Sequence, residues 1–206
     1  QDECVVTLID RVTRSETLIN GLRRCVCPRS DCSLTIQDLC RERIVQQLLD
    51  KHTDASSVEI ALINASSNGF VGCANLLLRA KANVNSVDHH GQTPLWSAAR
   101  EGHVDTVHLL VMAKADVNKV QESDSSSPLY LAAGNGHTRV LRRLVGAKAD
   151  LDCPDCDTGS TPLMMASQSG HVSSVQLLVN AKAAVNRHNA VYGTTATIYA
   201  AMCGHQ

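Results

Sequence analysis

The chain repeats itself, and a fixed repeat restricts the fold more than any single motif, because each unit must then pack chiefly against its neighbours. Thr93-Pro94-Leu95, Ser127-Pro128-Leu129 and Thr161-Pro162-Leu163 recur at a spacing of 34 residues, and one further step reaches Thr195-Ala196-Thr197. Gly102-His103, Gly136-His137, Gly170-His171 and Gly204-His205 hold the same phase. So do Ala113-Lys114-Ala115-Asp116, Ala147-Lys148-Ala149-Asp150 and Ala181-Lys182-Ala183-Ala184. A weaker copy with Leu62, Gly69 and Ala80-Lys81-Ala82-Asn83-Val84-Asn85 precedes them at an offset of 33 residues.

Each unit reads as helix, turn, helix, hairpin. Thr or Ser before Pro puts a capping hydroxyl at the N-cap and a residue without N–H at the first helical position, where no donor is needed. Small residues follow, such as Ala98-Ala99 and Ala132-Ala133, and they let neighbouring helices approach closely. Glycine ends this helix because it accepts the left-handed conformation. In the second helix Val104, Val107, Leu110 and Val111 form one apolar stripe, as do Thr138, Leu141, Leu144 and Val145, and Val172, Val175, Leu178 and Val179. Polar runs such as Ser86 to Gln92 and Lys119 to Ser126 suit exposed hairpins.

Composition agrees with such a stack. Only one Trp, three Tyr and one Phe occur in 206 residues, so Ala, Leu, Val and Ile must fill the core. That disfavours β-sandwiches and base-stacking RNA modules, which lean on aromatics. With 19 Lys and Arg against 20 Asp and Glu the formal charge is −1, which argues against a general phosphate-neutralising nucleic-acid binder. Charged residues interrupt every apolar run before it reaches the roughly 18 to 20 residues of a bilayer span. Nine cysteines, an odd number, cannot all pair within one chain and leave the compartment open.

The pattern Thr-Pro-Leu-x-x-Ala-Ala-x-x-Gly-His, followed by Val-x-x-Leu-Leu and Ala-Asp-Val-Asn, resembles the ankyrin repeat family from about Ile60 to His205. The resemblance implies an all-α solenoid of helix-turn-helix units with hairpin fingers, which binds other proteins on its concave face without catalysis. Three good repeats, a degenerate first and a partial fifth would occupy 56–206, behind a helical, cysteine-containing N-terminal cap at 1–55. The family's variable contact positions fall on Arg100, Glu101, Gly134, Asn135, Gln168, Ser169, Met202 and Cys203. Finger contacts would be Asp88, His89, Gln121, Glu122, Asp155, Asp157, His188 and Tyr192. A protein partner is implied, in the cytoplasm by the family's habit or in an organelle after N-terminal processing.

The chain departs from the family in two places. Trp96, Tyr130, Met164 and Ile198 stand where a His usually follows Thr-Pro-Leu, so an apolar contact should replace a hydrogen bond within the repeat and alter the turn. Lys81, Lys114, Lys148 and Lys182 replace the Gly after the second helix. A left-handed Lys costs on the order of 1 kcal/mol relative to Gly. These lysines should recur about 10 Å apart, either complementing their own helix ends or forming a docking ladder for an acidic surface.

Other chemistry is sparse. Arg41 to Lys51 reads as an amphipathic capping helix and Val5 to Leu22 as another. Between them Cys25, Cys27, Cys32 and Cys40 admit three readings, namely free thiols, disulfides or a zinc site, although the spacing matches no common zinc knuckle. Cys153-Pro154-Asp155-Cys156 has redox-pair spacing, but its acidic neighbours oppose a thiolate. The His of each Gly-His pair should satisfy backbone groups, being spread one per unit. No phosphate loop, nucleophile elbow or zinc-protease motif calls for a cofactor. Protein binding as an adaptor or scaffold is therefore expected, with an architectural subunit of a larger assembly and a thiol-disulfide enzyme as the rivals. The apolar Ile198, Tyr199 and Met202, together with Gln1 in place of Met, suggest a continuing chain or a covered C-terminal face.

Overall fold

The computed structural model of the protein describes residues 55–204. The expected helices at 5–22 and 41–51 and the cluster of Cys25, Cys27, Cys32 and Cys40 lie outside the described residues. The helices are α1 (Ala55–Ser67), α2 (Val71–Arg79), α3 (Pro94–Glu101), α4 (Val104–Met112), α5 (Pro128–Gly134), α6 (Thr138–Gly146), α7 (Pro162–Gln168), α8 (Val172–Asn180) and α9 (Ala196–Met202). Among the described residues there is no strand. The architecture is an all-α repeat solenoid.

Each unit is built as its sequence dictates. The Oγ atoms of Thr93, Ser127, Thr161 and Thr195 accept the N–H of the third residue on, at Trp96, Tyr130, Met164 and Ile198. All four N-caps share one extended geometry, with φ between −99° and −87°, whichever of Trp, Tyr, Met or Ile follows Thr-Pro-Leu or its equivalent. Gly102, Gly136 and Gly170 stop the first helices or the turns just after them at φ 82°, 72° and 71°. The second helices end on a left-handed residue that is Lys, with φ from 64° to 71° at Lys81, Lys114, Lys148 and Lys182. Their N–H groups donate three residues back, and those of Ala82, Ala115, Ala149 and Ala183 reach five residues back, the pattern of a glycine cap carried by lysine.

The core repeats with the units. Leu95, Leu129 and Leu163, then Leu110, Leu144 and Leu178, are each at most 1% exposed. Ala98, Ala132 and Ala166 are wholly buried and let the first helices pack in a close row, α1 on α3 on α5 on α7 on α9. The second helices touch one another less. That imbalance draws the first-helix side together and opens the second-helix side. The apolar stripe holds on α4 and α6, but on α8 Val172 and Val179 are 61% and 43% exposed because no described helix covers that side.

Bonds between units fix their register. The His103 ring packs beneath Gly69, with Nε2 3.0 Å from the Ser67 carbonyl, and the His137 ring beneath Gly102, with Nε2 2.9 Å from the Arg100 carbonyl. These histidines satisfy backbone groups, as expected, but in the preceding unit. Asn85, Asn118 and Asp152 side chains accept the N–H of Asp116, Asp150 and Ala184 at 2.8 to 2.9 Å.

Candidate functional site

The first helices and the fingers at 86–92, 119–127, 153–160 and 187–194 form the inner face. Every finger closes on itself, with Asp88, Gln121, Asp155 and Asn189 N–H groups donating to the carbonyls of Gln92, Ser126, Ser160 and Thr194. Asp88 Oδ1 also accepts from the N–H of His90 and Gln92 at 2.8 and 2.9 Å. A short acceptor at the finger base therefore shapes the loop.

Two expected contact residues are consumed in this way, which corrects their reading as projecting finger contacts. Gln121 is 8% exposed, its Nε2 donating to the His90 carbonyl at 2.8 Å while Oε1 accepts from Ser123. Asp155 is equally buried; it accepts from Tyr130 Oη at 2.7 Å, from Thr158 Oγ1 at 3.0 Å, and from the N–H groups of Thr158 and Gly159 at 2.7 and 2.8 Å. Burial alone would raise the Asp155 carboxyl. The Tyr130 hydroxyl and the Thr158 and Ser160 donors outweigh it and hold the group below the usual carboxylate range. Burial first, then the Asp155 carboxylate, pushes the Tyr130 phenol far above its ordinary value.

The position after Thr-Pro-Leu is likewise corrected, since most of its occupants keep hydrogen bonds. Trp96 Nε1 donates to the Ser126 carbonyl and hydroxyl at 3.1 and 2.9 Å, and Tyr130 reaches Asp155, so both bonds run to the next finger. Met164 Sδ accepts the Thr161 N–H at 3.5 Å, within its own repeat. Ile198 offers no such bond and is 43% exposed.

The remaining predicted residues lie at the surface, several already engaged. Arg100 Nε pairs with Glu101 Oε1 at 2.8 Å, and its guanidinium lies 5.1 Å from the Trp96 ring centre. Asn135 Nδ2 donates to the Arg100 carbonyl at 3.0 Å. The exposed His89 ring lies 3.8 Å from the His90 ring and is tilted 44° to it, and exposed Glu122 packs its stem beside Gly91. Asp157 and Ser169 are exposed, and His188 Nδ1 lies 3.2 Å from the Gly193 carbonyl.

One hollow, about 350 Å³, opens between α7, α9 and the last two fingers. All three tyrosines of the chain line it, Tyr130, Tyr192 and Tyr199, with Met165, Met202 and the polar Gln168 and Thr158. Two phenols are held in place, Tyr130 by Asp155 and Tyr199 by Asn189 Nδ2 at 2.8 Å. Tyr192 stands 71% exposed beside them. Among the residues that line it, Asp155, Tyr192 and Gln168 were expected as contacts from finger and helix-end positions, and Met202 from the helix-end pattern. Tyr130, Met165 and Tyr199 were missed, although asking where the five aromatics fall would have found two of them.

Thiol chemistry has little support here. Cys153 and Cys156 are free, and burial with Asp150 pushes the Cys153 thiol up, Arg187 opposing only in part. Among the described residues no cluster of His, Cys, Asp and Glu could hold a metal, and no helix is long and apolar enough to cross a membrane.

Helix pairs stacked in one row, stapled by side chains that reach from unit to unit, define a helical-repeat solenoid. The chain belongs to the ankyrin repeat family: the family model for ankyrin repeats matches it over residues 36–121, 113–189 and 129–206. Ankyrin repeats are generally protein–protein interaction modules and typically not enzymes. No curated protein matches the chain in sequence.

Proposed function

We propose that the chain is an adaptor or scaffold that grips a partner protein on its inner face, with the hollow at Tyr130, Tyr192 and Tyr199 as the anchor point. The observation that carries this reading is the gathering of all three tyrosines and two of the four methionines around one hollow. Tyr and Met are enriched in interface cores, and pinned rings lose little entropy on binding. Arg100, Glu101, Asn135, Ser169, His188, the exposed finger residues His89, Glu122 and Asp157 and the half-buried Asp88 form the polar surround. A near-neutral chain suits a protein partner better than nucleic acid. The raised Cys153 thiol speaks against a thiolate nucleophile at that position.

The test is to purify the full chain with its partner and measure affinity for Tyr199→Ala, Tyr192→Ala and Gln168→Arg. Loss of an anchoring aromatic should weaken binding by about 30-fold. Retained affinity in all three would remove the hollow from the interface. A second reading, a subunit held permanently in a larger assembly, is favoured by Val172, Val179, Ile198 and Met202, which stand 43% to 73% exposed on α8 and α9. Native mass analysis separates the two, since a fixed subunit stays bound on dilution.

A further inference from the structure

The side opposite the hollow carries its own groove, about 590 Å³, between α4 and α6. Val104, Val111, Gly146 and Ala147 contribute apolar lining, and Met112 stands at its edge 67% exposed. Arg139, Arg142, Arg143 and His108 also line it, and no acid does. Asp105 is the only acidic residue on the two helices. Among the described residues the three arginines have no hydrogen-bond or ion-pair partner.

The repeat itself shows that this chemistry is not needed to build a unit. One period of 34 residues before and after, Arg139 is replaced by Asp105 and Ser173, Arg142 by His108 and Gln176, and Arg143 by Leu109 and Leu177. Three arginines at i, i+3 and i+4 repel one another on a helix and destabilise it. Gly146 is as unusual, with Met112 and Asn180 as its counterparts. A Cβ added there would meet nothing within 4 Å, and its φ is not in the left-handed region, so neither packing nor backbone requires glycine. Glycine in a helix costs stability relative to Ala and leaves bare backbone that a partner can approach closely.

We infer that the groove between α4 and α6 docks an acidic amphipathic segment of a partner protein. Its apolar side chains lie over Gly146 and Ala147, and its carboxylates meet Arg139, Arg142 and Arg143. Arginine suits this role because its planar fork binds a carboxylate bidentately. A recessed floor between two helices fits an inserted helix better than a lipid surface, which binds projecting apolar residues. The site is independent of the inner face.

The experiment titrates the full 206-residue chain into a labelled helical peptide with Leu at every third or fourth position and Glu flanking them. Binding should weaken with added salt and fall by about tenfold in Arg142→Glu/Arg143→Glu, where two attractions become repulsions. Gly146→Leu should fill the floor and weaken binding without lowering the melting temperature. Tyr199→Ala on the inner face should leave affinity unchanged, which keeps this site distinct from the hollow. The proposal is overturned if the Glu peptide does not bind, if its Lys-substituted version binds equally, or if charge reversal and Gly146→Leu both leave affinity intact. Arginine-dependent binding to phosphatidylserine vesicles, with no binding of the peptide, would assign the groove to a membrane surface instead.

Discussion

Gly102→Ala probes the contact on which each unit is seated. Gly102 has φ 82°, and a Cβ built there would lie 2.6 Å from Nδ1 and 2.7 Å from Cε1 of the His137 ring. Left-handed backbone costs Ala about 1 to 2 kcal/mol, of which roughly 0.4 to 1 returns through the lower entropy of the unfolded chain. The ring cannot yield freely, because His137 Nε2 is held 2.9 Å from the Arg100 carbonyl. Either it stays and strains the packing, or it swings away and forfeits a bond worth about 1 kcal/mol. The sum is about 2 kcal/mol.

Urea unfolding by circular dichroism should show this as a lower midpoint with an unchanged slope. The decisive comparison is the same substitution in His137→Ala. Without the ring only the backbone cost remains, so Gly102→Ala should then cost about 1 kcal/mol. Equal costs in both backgrounds would refute the claim that the glycine is there for the histidine.

Other outcomes follow from single groups. Thr106 is wholly buried with Oγ1 unbonded, and the next unit places Val140 at its position, so Thr106→Val should stabilise the chain by about 1 kcal/mol in the same urea assay. Asp155 titrates lower folded than unfolded, so its stabilisation is present above the ordinary carboxylate range and is lost as pH falls through the folded value. The stability gap between the wild type and Asp155→Asn should therefore close as pH drops below about 4. At the alkaline end the Tyr130 bond is present below the ordinary phenol range and persists above it. Tyrosinate absorbance up to about pH 11 should thus be the same in wild type and Tyr130→Phe.

The helices were legible because their signals are local. Thr93, Ser127, Thr161 and Thr195 each announce a helix start through one hydroxyl, and the glycines its stop. Trp96 and Tyr130 were misread because their partners, Ser126 and Asp155, stand 30 and 25 residues away and lie in loops, where no periodicity pairs them. Gln121 and Asp155 look like surface residues by type and become internal only when a neighbouring finger closes over them. The hollow was invisible for a related reason. It draws on residues of three successive units, and only stacking brings Tyr130 and Tyr199 to one place.

Recognition in such a stack falls to whatever the stapling leaves over. Side chains of the same type divide according to that rule: Asp155 is spent inside a finger while Asp157, two residues on, faces solvent. His137 is spent on a carbonyl of the preceding unit, whereas His108, on the outer face of α4, lines the groove. The units are near copies at the stapling His, Asn and Asp positions, although the bonds that Trp96 and Tyr130 make to the next finger are not repeated at Met164 and Ile198. Arg139, Arg142 and Arg143 depart from their counterparts on the outer face, as Tyr192 and Met202 do at the inner hollow. Differences between copies at unstapled positions are free to vary without disturbing the stack, so they are where a partner's chemistry can be written.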